Sequence, residues 1–361
     1  MKIALLTLPI DNNYGGNLQR YALMTVLQRM GHDVIHIYLL AHARLPWYKV
    51  PFSYVKRLFK KFILCDNTVV LSYERITNER YEKSLHHTKL FYEKYIKHTN
   101  ICYTIQDIKK ECKGRYEAYL VGSDQVWRNH STRQIDIKEF FLSFTLNEDV
   151  KRYAYSVSLG KEDNMFSEKE IKNLGQLYHQ FNSVSVREIS ALRLFEQYGW
   201  NNPQASLCLD PTLLLDAEDY LVVIRNNKVE DMTGGKIFAY ILDESDNNNK
   251  TIQSLSKQLS KSVICTGLEN STELSIPQWL NDIRCADFVI TDSYHGTVFS
   301  IIFKKPFLFL GNQERGNARI SSLFDILHIH VDKGIVSDYA EVDTFIKQMR
   351  KESMDFLKRI P

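Results

Sequence analysis

The residues best placed for chemistry in this 361-residue chain lie between Ala286 and Phe303. There an apolar run, Phe288-Val289-Ile290, stops at Thr291-Asp292-Ser293-Tyr294-His295-Gly296, and an apolar helical pattern follows at once. That order reads as buried strand, polar loop and helix N-terminus, the place where open α/β sheets bind ligands. His295 is a titratable imidazole three residues after a carboxylate, Asp292, and just before a glycine that allows close approach to the backbone. Proton transfer or anion binding suits such a group. A loop histidine that only caps the following helix is the structural alternative.

Other loops share this form. Tyr116 to Val121 runs into Gly122-Ser123-Asp124-Gln125-Val126-Trp127-Arg128, Tyr153 to Leu159 ends beside Ser158 and Gly160, and Ser183 to Val186 ends in Arg187-Glu188. Each places polar groups just past an apolar run, so the loops are expected to converge on one sheet edge. The elements that position them alternate regularly. Met1 to Pro9 reads as a first strand, followed by Asp11-Asn12-Asn13-Tyr14-Gly15-Gly16-Asn17. Leu18, Tyr21, Ala22, Val26 and Leu27 then recur at helical spacing up to Gly31, and Asp33 to Leu40 reads as a second strand. Asn17 is the expected N-cap, and the glycine pair, not being G-x-G-x-x-G, reads equally as a plain turn. Tyr73 to Lys97 reads as one long polar helix.

A second α/β set starts near Asp210: strand Lys236 to Leu242, helix Asn249 to Ser260, strand Ser262 to Thr266, helix Ile276 to Cys285, the segment described first, and strand Pro306 to Leu310. The sequence therefore predicts a Rossmann-like domain over residues 1–205, a second over 206–335, and a C-terminal helical stretch over 336–361 that can cross back to the first half.

Composition narrows the function classes. Apolar residues make up 44% and charged residues 25%, the balance of a soluble globular protein. A net charge of +3 is too mild for a general nucleic-acid binder. The six cysteines form no C-x-x-C pair and read as reduced thiols. The apolar start is short and lacks a small-residue cleavage site, and no run of about 18 apolar residues exists to span a membrane. These features point to the cytoplasm. His86-His87 and the alternating His328 and His330 supply no convincing ligand set, so no metal is expected. One segment stands apart: between Asp33 and Asp66 there is no acidic residue, while Arg44, Lys49, Lys56, Arg57, Lys60 and Lys61 interleave with Trp47, Tyr48, Phe52, Tyr54, Phe59 and Phe62. Residues 44–64 read either as a docking segment for an anionic bilayer or as a basic helix whose aromatics pack on the core.

Several of these loops together resemble the polysaccharide pyruvyl transferase family. The residues carrying the resemblance are Asn13-Tyr14-Gly15-Gly16-Asn17-Leu18-Gln19 with Tyr21-Ala22-Leu23, Gly122 to Trp127, Val186-Arg187-Glu188, Leu209-Asp210-Pro211-Thr212 and Thr291 to Thr297. They occur in the family's order and at similar spacing, to about Leu327. The resemblance implies an α/β, glycosyltransferase-B-like fold of two Rossmann-like domains facing across a cleft. It also implies transfer of a pyruvyl group from phosphoenolpyruvate to a sugar of a bacterial surface polysaccharide or its lipid-linked precursor, with a ketal formed and phosphate released. Phosphoenolpyruvate is then a co-substrate, and no cofactor is needed.

Such a donor carries a phosphate and a carboxylate and calls for cations and backbone N–H groups. Arg187 and the helix start at Ser293, Gly296 and Thr297 are the expected donor site, with Arg315 and Arg319 next. His295 is the expected general acid or phosphate stabiliser, Asp124 the base, and Asp292 an alternative base or the group that orients His295. Asn13, Tyr14, Gly15, Asn17, Gln19, Ser123, Gln125 and Trp127 fall to the acceptor. A turn-capping role is the competing reading for Asp124, and Asp210 reads as structural. Where the family resembles Arg-x-His-Gly, this chain has Ser293-Tyr294-His295-Gly296, and serine cannot pair bidentately with an anion. Either another arginine substitutes or the donor differs. A glycosyltransferase using an activated sugar and a non-catalytic glycan-binding protein are the alternative functions.

Overall fold

A computed structural model describes residues 1–41, 47–129, 135–231, 235–267, 273–311, 318–329, 335–336 and 338–361. Arg44, Arg315 and His330 lie outside the described residues. The first half runs β1 (Lys2–Leu6), α1 (Tyr14–Arg29), β2 (Asp33–His36), α2 (Val50–Leu58), α3 (Tyr73–Ser84), α4 (His86–Tyr95), α5 (Ile105–Cys112), β3 (Ala118–Val121), β4 (Lys151–Val157), α6 (Glu168–Tyr178), β5 (Ser183–Val186), α7 (Ile189–Gln197) and β6 (Ser206–Leu207). The second runs α8 (Ala217–Arg225), β7 (Lys236–Tyr240), α9 (Asp246–Leu259), β8 (Ser262–Thr266), α10 (Ile276–Cys285), β9 (Phe288–Thr291), α11 (Tyr294–Ile302), β10 (Phe307–Phe309), α12 (Ala318–Leu327), β11 (Ile335–Val336) and α13 (Val342–Leu357).

The first sheet is parallel in the order β2-β1-β3-β4-β5-β6. The second has the order β11-β10-β9-β7-β8 and is parallel apart from the β10–β11 pair. In each sheet the first strand of the half lies between the second and the third, so the winding reverses there and the loops on either side part to leave a crevice. The reversals fall at β1/β3 and β7/β9. These crevices face each other, which makes the molecule two Rossmann-like halves across a cleft.

One apolar cluster runs through both halves, from Ile3, Leu5, Leu18 and Leu23 to Tyr220, Trp279, Val298 and Phe307. Tyr14 is central to it. Its ring stacks on Trp279 at 5.2 Å, meets Tyr240 edge-on at 5.7 Å, and its hydroxyl accepts the Leu274 N–H at 3.0 Å. Helix α13 returns to the first half, where Ser353 Oγ accepts the Leu209 N–H and Phe356 lies 6.0 Å from Tyr155.

Local chemistry moved some expected boundaries. α1 begins at Tyr14 because Asn13, not Asn17, caps it: Asn13 Oδ1 accepts the Gly16 N–H at 3.1 Å. Asn17 lies inside the helix, where its amide donates to the carbonyls of Asp11 and Asn13. The long polar helix is two helices, α3 and α4, which meet at Leu85, a residue buried in the core. Past His36 the expected second strand continues only as isolated pairings of Leu39 with Cys102 and Leu40 with Ile10.

Candidate active site

At the facing crevices is a cavity of about 180 Å³ lined by loops of both halves. Leu8, Asp11 and Asn13 follow β1, and Asp124, Gln125 and Arg128 follow β3. Opposite them, Leu242 follows β7 and Asp292, Ser293, Tyr294 and His295 lead from β9 into α11, while Arg319 projects from α12.

The loop after β1 is held from behind. Arg20 on α1 is buried; its Nε donates to Thr7 Oγ1 at 2.7 Å, Nη1 to Asn17 Oδ1 at 2.8 Å and Nη2 to the Leu8 carbonyl at 2.9 Å. Asn17 is therefore a brace of this wall. Asp11 is open to cleft solvent, yet crowding by the walls raises its carboxyl above the usual range, against the opposing charge of Arg20 and the N–H of Asn13.

Asp124 has φ 79°, the left-handed region that non-glycine residues seldom occupy. Two N–H groups, from Val126 at 2.7 Å and Ser158 at 2.9 Å, hold its carbonyl and keep the backbone there. Strain held this way is common at functional sites. Its carboxylate lies 3.4 Å from Arg187 Nη2 and 3.9 Å from Arg319 Nη1. Burial works against its charge, but Arg187, His295 and Arg319 outweigh it and keep the carboxyl below the usual range.

Arg187 sits behind the cavity as a hub. Its Nη1 donates to Asp210 Oδ2 at 2.6 Å, its Nε is 3.9 Å from Glu188 Oε2, and its guanidinium lies 4.4 Å from the Tyr294 ring centre. Glu188 in turn accepts from Ser158 Oγ and the N–H groups of Leu159 and Gly160. Asp210 is buried on the crossing between the halves and also accepts the Thr212 N–H and hydroxyl. Burial opposes its charge, but His295, Arg187 and Thr212 together hold it far below the usual range. Arg319 is different: burial, then repulsion from Arg187, pull it down to about 10.

His295 lies in the first turn of α11, which Ser293 caps. Its Nε2 is 3.6 Å from Asp210 Oδ2 and, among the described residues, is buried without a hydrogen-bond partner. Across the cleft the imidazole rests on Gly15 so closely that a Cβ there would lie 1.9 Å from Cγ.

Of the residues expected at the site, the structure brings Asn13, Asp124, Gln125, Asp292, Ser293, His295 and Arg319 onto the cavity. Others go elsewhere. Trp127 is in the core of the first half, stacked on Phe141 at 4.3 Å with its Nε1–H donated to the Phe140 carbonyl. Tyr14 is part of the core between the halves. Gln19, Ser123 and Thr297 are buried, and Thr297 Oγ1 donates back to the Ser293 carbonyl. Gly296 gives α11 its close approach to β9, since a Cβ would lie 2.3 Å from Thr291 Oγ1. Asp292 accepts the N–H groups of Leu242 and Asp243, which ties the β7 and β9 loops together. The carboxylate beside His295 Nε2 is instead Asp210. Asp11 and Arg128 were not among the expected site residues, although each follows an apolar strand as the named ones do. Among the described residues no cluster of three or more His, Cys, Asp or Glu side chains is placed to hold a metal.

A family model described as polysaccharide pyruvyl transferase matches residues 13–314. Comparison with curated proteins gives no match. Among solved structures, the chain is similar to an S. aureus MnaA–UDP complex (TM-score 0.48, 11% identity, 99% of this chain and 89% of that one). It is also similar to the Neisseria meningitidis UDP-GlcNAc 2-epimerase bound to UDP-GlcNAc (0.47, 9%, 99% and 94%) and to the Methanocaldococcus jannaschii UDP-GlcNAc 2-epimerase (0.45, 11%, 98% and 100%).

Proposed function

The chain belongs to the polysaccharide pyruvyl transferase family, and we propose that it transfers the pyruvyl group of phosphoenolpyruvate to a saccharide, closing a ketal and releasing phosphate. The acceptor in this reading is a surface-polysaccharide unit on a lipid carrier, met at the cytoplasmic face of a membrane. The observation that carries it is the convergence on one cavity of two guanidiniums, Arg128 and Arg319, with a buried imidazole and carboxylates from both halves. Phosphoenolpyruvate presents a phosphate and a carboxylate a few ångströms apart, which suits two forked cations. Arg319 takes the place of the arginine absent at Ser293, being next to Tyr294 at 5.6 Å from its ring.

In the first step an acceptor hydroxyl adds to the enol carbon and a proton is delivered to the methylene carbon, making a methyl group. The His295 imidazole supplies that proton. The proton of the attacking hydroxyl goes to a carboxylate. Asp11 suits this better than Asp124, because its raised carboxyl is nearer the operating pH whereas Asp124 is held ionised by arginines. A second hydroxyl then displaces phosphate from the same carbon, its proton leaving with the phosphate. Asp124 keeps the arginines aligned during both steps.

The test is phosphate release from phosphoenolpyruvate in the presence of lipid-linked saccharides. Release that requires the acceptor, and disappears in a folded His295→Ala variant, is the expected result. Nucleotide release from an activated sugar with no phosphate from phosphoenolpyruvate would overturn the reading, as would a folded His295→Ala variant with near-normal turnover.

A further inference from the structure

Helix α2 and the π-helical turn Phe59–Ile63 that continues it are built inside out for a surface helix. No residue in either is buried. Ser53, Arg57, Leu58 and Lys61 are the half-buried positions, facing the body of the protein, and Arg57 forms a bidentate pair with Glu74 of α3 at 2.5 and 2.7 Å. The opposite face carries Phe52, Val55, Phe59 and Phe62 at helical spacing, 78%, 64%, 53% and 64% exposed, with Ile63 and Leu64 beside them. Phe52, Phe59 and Phe62 therefore do not pack on the core.

We propose that this face inserts into an anionic lipid bilayer. The choice of a lipid surface rests on charge: the exposed Lys49, Lys56 and Lys60 lie beside the apolar stripe, and residues 34–65 contain no carboxylate side chain. An apolar wedge rimmed by lysines fits acyl chains below anionic headgroups. Among the described residues no helix is long and apolar enough to cross a membrane, so the contact is interfacial. The wedge is also coupled to the cleft. Arg57 holds the first turn of α3, and Tyr81 near the end of α3 donates to the Ile10 carbonyl, next to Asp11 on the cavity wall. Docking through α2 would thus fix how the cleft meets the membrane. The inference rests on this surface alone and stands whether or not the donor is phosphoenolpyruvate.

Flotation of the whole protein with vesicles tests it. Mixed phosphatidylglycerol–phosphatidylcholine vesicles should carry the protein upward, and pure phosphatidylcholine much less. The double variant Phe52→Glu/Phe59→Glu should lose roughly tenfold or more of the bound fraction, with an unchanged circular dichroism spectrum because both side chains are exposed. Four results would overturn the proposal: no flotation with anionic vesicles, equal flotation on neutral ones, a folded variant that floats as well as the natural chain, or a dimer in light scattering that the variant dissociates while vesicle binding persists.

Discussion

Gly15→Ala tests the placement of His295 more sharply than removing the histidine. Gly15 is the second residue of α1, outside the positive-φ set, so its backbone accepts alanine, and helix propensity alone favours the change by up to about 1 kcal/mol. The three nearest atoms all belong to His295: the new Cβ would lie 1.9 Å from Cγ, 2.0 Å from Nδ1 and 2.4 Å from Cβ. Ordinary carbon contacts are about 3.5 to 4.0 Å. The ring must therefore retreat by roughly 1.5 Å, and a displacement of about 1 Å at a reacting group costs about 10²-fold in rate. Phosphate release should fall at least that far, while stability drops by about 1 to 3 kcal/mol from overpacking. A second measurement needs no substrate. His295→Gly removes all three clashing atoms, so Gly15→Ala should cost nothing or stabilise in that background, a coupling of at least about 1 kcal/mol in a thermal or urea double-mutant cycle. Equal cost in both backgrounds, or a Gly15→Ala enzyme at near-normal rate, would refute the argument.

Three further outcomes are expected. Arg187→Ala leaves Asp124, Asp210 and Glu188 without their shared cation, so it should destabilise by about 3 to 5 kcal/mol in urea unfolding rather than only weaken donor binding; a fully stable variant with an altered donor KM would show the hub reading to be wrong. Arg319→Ala should raise the donor KM by roughly tenfold or more, because its guanidinium lines the cavity 3.9 Å from Asp124; an unchanged KM removes it from the donor site. Asp282 has its carboxyl raised to about 6 by burial, against the Gln278 hydrogen bond and the Lys236 charge. For an acid raised on folding the native state holds the proton more tightly, so stability is highest below the unfolded value near 4 and declines as pH rises through 6. Asp282→Asn should therefore stabilise by roughly 1 kcal/mol at pH 7.5, allowing for solvent near the group, and by almost nothing at pH 4. Equal Tm changes at both pH values would contradict this.

The strand ends were readable because burial is local: an apolar run that stops at polar residues marks a sheet edge in any α/β protein. Loops after β1, β3 and β9 accordingly meet where the sequence places them. Trp127 shows where that logic stops. It follows the same edge, but Val126 and Trp127 turn back inward, and Phe141, Phe181 and Phe195 enclose the indole. Nothing in the local run distinguishes an aromatic facing the cleft from one facing the core. Asp210 reads correctly as structural, but its partners are not legible. Its meaning depends on Arg187 and His295, 23 and 85 residues away, and sequence spacing carries no information about a pair that only the closing of two halves creates. The N-cap was missed for a third reason: Asn13 and Asn17 are both competent caps, and Arg20 decides between them by drawing Asn17 Oδ1 into the interior.

The buried charges behind the cavity also explain why the two halves hold one arrangement. Asp210 binds Arg187 of the first half and lies 3.6 Å from His295 of the second, and Tyr294 lays its ring under the same guanidinium. Buried charges are costly to separate, so sliding one half against the other would strand a carboxylate or a cation without its partner. The apolar contacts of Tyr14 with Trp279 and Tyr240 supply attraction but little registry. Registry comes from the ionic hub and from Gly15, whose missing side chain leaves room for the imidazole. The strain at Asp124, about 1 to 3 kcal/mol for such a backbone, fits the same logic. It aims a carboxylate at two arginines before any substrate arrives, so that alignment is settled by folding and not left to binding.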